Sequence, residues 1–365
     1  MNKTLAPPRT DDHTHPRPRP RGTLAWRSKG ERLSFLLRPR TLILCLVLAV
    51  VSVVTLVVSV TVGDYEIPLS AVPGALMGYG ERLDVFFVQG VRLPRALTAI
   101  GVGAALGIAG AVFQSLSRNA LGSPDIIGFT SGAATGAVFA ILILGAGRLV
   151  VSLGAIAGGL ITAAVVYLLA MKNGVQGYRL VLIGIGVSAM LASVRDYLLT
   201  RAELTDALGA QIWMIGSLNG RGWGEVLAVW IGFAALAPVL FIMGQRLRYM
   251  ELGDDAARGL GVNIRSTQII ALAAASAMTG AAIAVAGPVG FVALAAPQLA
   301  RRLMRTGGTT LIGSALMGAT LLVIADLVAM RALAPTQLPV GVVTAVIGGS
   351  YLIWLLYTEW RSGHA

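Results

Sequence analysis

The residues of this 365-residue chain that could do chemistry are few and mostly stand apart. The three histidines, His13, His15 and His364, lie near the two ends, and the single cysteine, Cys45, sits inside an apolar run. One cysteine allows neither an intramolecular disulfide nor a cysteine metal cluster. The apolar middle likewise has no imidazole with which to hold haem or a bare transition metal. The acids offer more. Arg195 and Asp196 are adjacent within one apolar run and Asp326 lies within another, and charges at such places default to ion paths, proton relays or buried pairs. Asp254 and Asp255, with Arg258, interrupt two apolar runs in the stretch LGDDAARGLGV, residues 252–262. No G-x-x-x-x-G-K-[ST], H-E-x-x-H or G-x-S-x-G pattern occurs, so ATP hydrolysis, zinc proteolysis and serine acyl transfer have no residues to run on. The chain is not expected to be an enzyme.

The elements that position these residues follow from composition. With 56% hydrophobic and 13% charged residues, the chain has too little polar surface to cover a soluble globule of its size. Its apolar segments approach the roughly 20 residues a helix needs to cross hydrocarbon, which predicts an all-α polytopic membrane protein. Runs and their breakers predict about ten transmembrane helices, over 41–62, 93–113, 125–146, 148–171, 179–200, 226–245, 267–286, 290–304, 310–330 and 340–358. The pairs Gly103/Gly107, Gly132/Gly136 and Gly154/Gly158 have the spacing of tight helix packing.

A formal charge of +12 could suggest nucleic acid, but residues 1–40 hold ten of the bases against three acids in a proline-rich stretch. That composition predicts a basic, disordered cytoplasmic tail touching anionic membrane lipid, with no nucleic-acid partner. With that tail inside, Arg118, Lys172, Arg179, Arg246, Arg248, Arg258, Arg265, Arg301, Arg302 and Arg305 fall on cytoplasmic connections, and Asp64, Glu66, Glu81, Asp84, Glu203 and Asp206 on the other side. The expected organisation is a tail over 1–40, a transmembrane domain over 41–358 and a cytoplasmic tail over 359–365, with both termini inside.

LGDDAARGLGV then faces the cytoplasm. Two acids suit the start of a short helix, alanines favour its middle, and Gly259 and Gly261 suit its end. Such a helix is either a mechanical contact or an amphipathic loop helix at the lipid interface. Spacing alone leaves both open. Arg195 could attract an anionic cargo, or snorkel while Asp196 bonds to a neighbouring helix, since adjacent residues point about 100° apart.

The segments RLPRALTAIGVGAALGIAGAVFQSLSRNALGSPDIIGFTSGA (92–133), LGDDAARGLGV, GPVGFVALAAPQLARRL (287–303) and ADLVA…QLPVGVVTAVIGG resemble the FecCD family of iron-siderophore and cobalamin ABC permeases over about residues 41–358. RNALGSPDIIGF, KNGVQGYRLVLIGIGV and GSLNGRGW are most similar to ferric-enterobactin permease subunits, which work with a second, related permease. The resemblance implies a type II ABC importer permease fold in a bacterial plasma (inner) membrane. It implies a heterodimer, two cytoplasmic ATPase subunits that use ATP and Mg, and an extracytoplasmic siderophore-binding protein. Coupling helices within 250–265 would then seat on the ATPase through Gly253, Asp254, Asp255, Arg258, Gly259 and Gly261. Family members also dock the binding protein on outer arginines, which the resemblance places at Arg92, Arg95 and Arg331, the last shifted by one residue from the usual A-R-x-L. Arg195 and Tyr178 would line the path. Gly177 and Tyr178 stand where cobalamin permeases carry gate hydroxyls, which points away from cobalamin. The rivals are a haem or cobalamin permease, an ion-gradient-driven secondary transporter using Asp196 or Asp326, and a membrane anchor without transport.

Overall fold

In hydrocarbon every backbone N–H and C=O must be bonded within its own segment, and the apolar runs of this chain accordingly become helices. The computed structural model describes residues 24–27, 34–37, 39–171, 177–306 and 308–361. Strands β1 (Leu24–Arg27) and β2 (Ser34–Leu37) pair antiparallel, Leu24 opposite Leu37, inside the stretch expected to be a tail. The rest of that tail, and residues 362–365 at the other end, lie outside the described residues.

The regular elements of the membrane unit are helices. Its elements are α1 (Pro39–Thr61), α2 (Val72–Leu76), α3 (Arg82–Val85), a π-helical stretch (Phe86–Arg92) running into α4 (Leu93–Ser117), α5 (Phe129–Leu142), α6 (Arg148–Ala170) and α7 (Gly177–Arg201). They continue with α8 (Leu204–Ile215), α9 (Trp223–Met250), α10 (Asp254–Gly259), α11 (Ile264–Ala286), α12 (Val292–Met304), α13 (Leu311–Arg331) and α14 (Val340–Arg361). Among the described residues, seven helices are long and apolar enough to cross a membrane: α1, the continuous Arg82–Ser117, α6, α7, α9, α11 and α13. The apolar stretches Phe129–Leu142 and Val340–Leu355 are shorter, and α12 has only 13 residues. The ten expected segments thus all contain helices, while length and apolarity qualify seven as spans.

Helix α4 is the axis of the bundle, wrapped by α9, α11, α12 and α13. The apolar stretch of Arg82–Ser117 is 89% buried, against 11% for α7. Close approach explains the difference. A Cβ at Gly103 or Gly107 would strike the backbone carbonyls of Gly318 or Ser314 on α13, and one at Gly110 that of Ala293 on α12. The same device joins α5 to α6, where Gly132 and Gly136 meet Gly158 and Gly154. In lipid, where burying apolar surface gives no drive between helices, such backbone contacts supply dispersion and weak C–H···O bonds instead.

Candidate functional site

The charged interruption between α9 and α11 is a short, exposed helix with a defined start and stop. After α9 the chain turns at Gly253 (φ 110°) into α10, a six-residue helix with Asp254 and Asp255 in its first turn. It closes with paired bonds, Val262 N–H to Ala257 O at 3.0 Å and Gly261 N–H to Arg258 O at 2.9 Å, with Gly261 in the left-handed region (φ 79°). This glycine-terminated motif satisfies carbonyls that so short a helix would otherwise leave open. Gly261 makes the stop, and Gly259 is simply the last helical residue, a correction to the expectation that both glycines end the helix. Ala257 and Val262 are buried with Met250 and anchor the turn. Leu252 and Leu260 are exposed, as is Asp255 (99%), which accepts a 2.8 Å bond from Arg258. Asp254 faces the other way and pairs with Arg118 at the end of α4. The result is an exposed apolar and charged turn anchored by Ala257, Val262 and Met250.

The arginines expected on the opposite end are held differently. Arg92 is buried, its guanidinium donating to the carbonyls of Val60 (2.8 Å), Thr61 (3.1 Å) and Tyr65 and lying 5.4 Å from the Phe87 ring centre. Those are carbonyls at and just past the C-terminus of α1, which lack intrahelical partners and carry the negative end of the helix dipole. Arg95 is also buried, and it forks onto Asp326 of α13 with bonds of 2.8–3.1 Å and donates to Gln337 Oε1 at 2.8 Å. Each guanidinium satisfies backbone or charge that the fold has buried. Of the three docking candidates Arg331 keeps exposed surface, and it leans on Asp64 at 3.5 Å.

Arg195 and Tyr178 share α7, but 17 positions of helix set them about 25 Å apart, so they do not form one site. Tyr178 is exposed at the start of the helix. Arg195 is mostly covered and lies 3.7 Å from its neighbour Asp196, which is exposed. The expected bond from Asp196 to a neighbouring helix is replaced by this contact, too long for a hydrogen bond and Coulombic in character. Among the described residues no three His, Cys, Asp or Glu side chains gather where they could hold a metal.

Sequence reasoning missed the polar ties at the α10 end. Gln114 on α4 donates to Leu294 O at 3.0 Å and accepts from Arg301 at 2.6 Å, and Gln298 donates to Ala120 O at 2.5 Å. Polar residues in the last turn of an otherwise apolar helix were the available signal.

The fold defines a class: a multi-pass membrane protein, here with a short exposed helix between two of its long ones. Residues 48–358 match the FecCD transport family, and the chain belongs to it. A member of that family is a transport permease, so the chain is not itself an enzyme. It is 43% identical over 329 residues to the ferric enterobactin transport system permease protein FepG of Escherichia coli (strain K12), covering 88% of this chain and 98% of that protein. It is 38% identical over 326 residues to the Fe(3+)-citrate import system permease protein YfmE of Bacillus subtilis (strain 168), covering 88% and 97%. A solved structure described as an inward-facing conformation of a metal-chelate type ABC transporter superposes with a TM-score of 0.76 at 29% identity, covering 87% of this chain and 99% of that one.

Proposed function

We propose that this chain is the permease subunit of an ATP-driven ABC importer that carries ferric siderophore from an extracytoplasmic binding protein into the cytoplasm. The observation that carries the reading is similarity over 88% of this chain to permeases named for ferric enterobactin and Fe(3+)-citrate import, in a chain whose α10 is an exposed short helix. In this reading α10 seats on one of two cytoplasmic ATPase subunits, which bind and hydrolyse ATP with Mg, while a second, related permease completes the path. The α10 end faces the cytoplasm with both termini, consistent with Arg118, Arg246, Arg248, Arg258, Arg265, Arg301, Arg302 and Arg305 near that end. All ten principal helices then serve as membrane segments, and Arg331 takes over docking from the buried Arg92 and Arg95. A path with few metal ligands suits a preformed chelate, since strong coordination would trap the cargo. The ion-gradient rival has less to stand on, because Asp326 is already held by Arg95.

Uptake of radiolabelled iron, presented as ferric enterobactin, ferric citrate, a ferric hydroxamate and haem, tests this in deletion cells carrying either the wild-type chain or Asp254→Arg with Asp255→Arg. Uptake of a ferric siderophore that the double reversal abolishes, with the protein still in the membrane, supports cargo class and coupling together. Uptake that survives the reversal and collapses with the ion gradient overturns the ABC reading.

A further inference from the structure

The two adjacent acids of α10 have different addresses. Asp255 is 99% exposed and its recorded bond stays within the helix, to Arg258. Asp254, about 100° around the helix, pairs with Arg118. Arg118 is the C-cap of α4, in the left-handed region (φ 49°), so the chain turns there and the side chain leaves the end of the bundle axis toward α10. Helix α10 otherwise packs on α9 and α11, its own chain neighbours, through Ala257 and Val262. The ion pair is therefore the recorded polar contact that reaches from α10 to α4. The last turns of α4 also hold α12 through Gln114 and Arg301.

We propose that Arg118 is a positioning residue that links α10 to α4 through Asp254, so that displacement of α10 by its partner is passed to the axis of the bundle, while Asp255 and Arg258 are left to face that partner. The proposal rests on the coupling role assigned to α10 above. With side-chain exposures of 46% for Arg118 and 39% for Asp254, the pair contributes little to folding stability. Loss of the link is thus read in transport and not in unfolding.

The test uses the whole transporter in proteoliposomes and reads iron transported per ATP hydrolysed, with ferric enterobactin, ferric citrate and a ferric hydroxamate as probes, beside the thermal midpoint of each variant. Arg118→Glu is expected to lower the transport ratio about tenfold, a coupling loss in the usual range for linked sites. Arg118→Lys is expected to retain most of it, and the exchange Arg118→Asp with Asp254→Arg to return it to within about twofold of wild type, as a pairwise interaction requires. Normal transport by Arg118→Glu, failure of the exchange to rescue, or a thermal midpoint that falls in step with transport would each overturn the link. Asp255→Arg separates this from the broader reading. If it abolishes transport while the Arg118 variants behave normally, α10 still couples and only the link is wrong; if it has no effect, or no probe is transported by the wild type, the coupling reading fails and the link with it.

Discussion

The bundle carries arginines at both ends, and the two sets are used in opposite ways. Arg92 and Arg95 are folded inward, one onto the carbonyls that end α1, the other onto the carboxylate of Asp326 with only 8% of its side chain exposed. Arg118 and Arg258 stay in water, each beside one acid of α10. At the first end charge closes gaps that the fold itself has made, and removing it leaves a buried group unpaired. At the second end charge adds little to the fold, and Asp255 and Arg258 stay exposed.

Substitutions sharpen this contrast, and the largest effect on stability is expected at the buried pair. Arg95→Ala leaves Asp326 buried without its partner and should cost about 3–5 kcal/mol, read as a fall in the thermal midpoint of the solubilised protein. Arg95→Met combined with Asp326→Leu should lose clearly less than the sum of the single changes, because no orphan charge remains. Arg92→Ala comes next, at about 1.5–3 kcal/mol for charged bonds to carbonyls, by the same measurement. If it instead weakened binding-protein docking with no change in midpoint, the inward reading of Arg92 would be wrong. Gly107→Ala forces a methyl group against the Ser314 carbonyl and should cost about 1–3 kcal/mol through separation of α4 from α13. The smallest stability change is expected at Asp255→Ala, within about 0.5 kcal/mol for an exposed residue, yet iron uptake should fall sharply. That inversion of the two readouts is what distinguishes the displayed end from the braced one.

Most of the helical frame was legible because lipid imposes length and apolarity on each segment. The expected 41–62 becomes Pro39–Thr61 and 267–286 becomes Ile264–Ala286, with the differences confined to three residues or fewer in each helix. The glycine pairs were legible for a related reason, since only a missing side chain permits the contacts they make. Short elements were not. α8 spans 12 residues in a connection and the π-helical stretch before α4 spans seven, and neither leaves an apolar run long enough to stand out. The stretch 252–262 was visible as an interruption, but the different surroundings of its two acids were not, because neighbouring aspartates read alike until a partner such as Arg118, 136 residues away in sequence, is brought beside one of them. The same limit explains Arg92 and Arg95. An arginine at the start of a helix reads identically whether it faces a partner protein or an aspartate 231 residues further along.

The central claim is that α10 is the face on which an ATPase subunit seats, and proximity tests it most directly. In a Cys45→Ala background, Leu260→Cys on the displayed helix and Leu204→Cys at the opposite end are each exposed to a short bifunctional thiol crosslinker in membranes containing the co-expressed ATPase. The account predicts a crosslink to the ATPase from position 260 that changes in yield on adding ATP, and none from position 204. A crosslink from position 204, or none from 260 in an assembled complex, would contradict it.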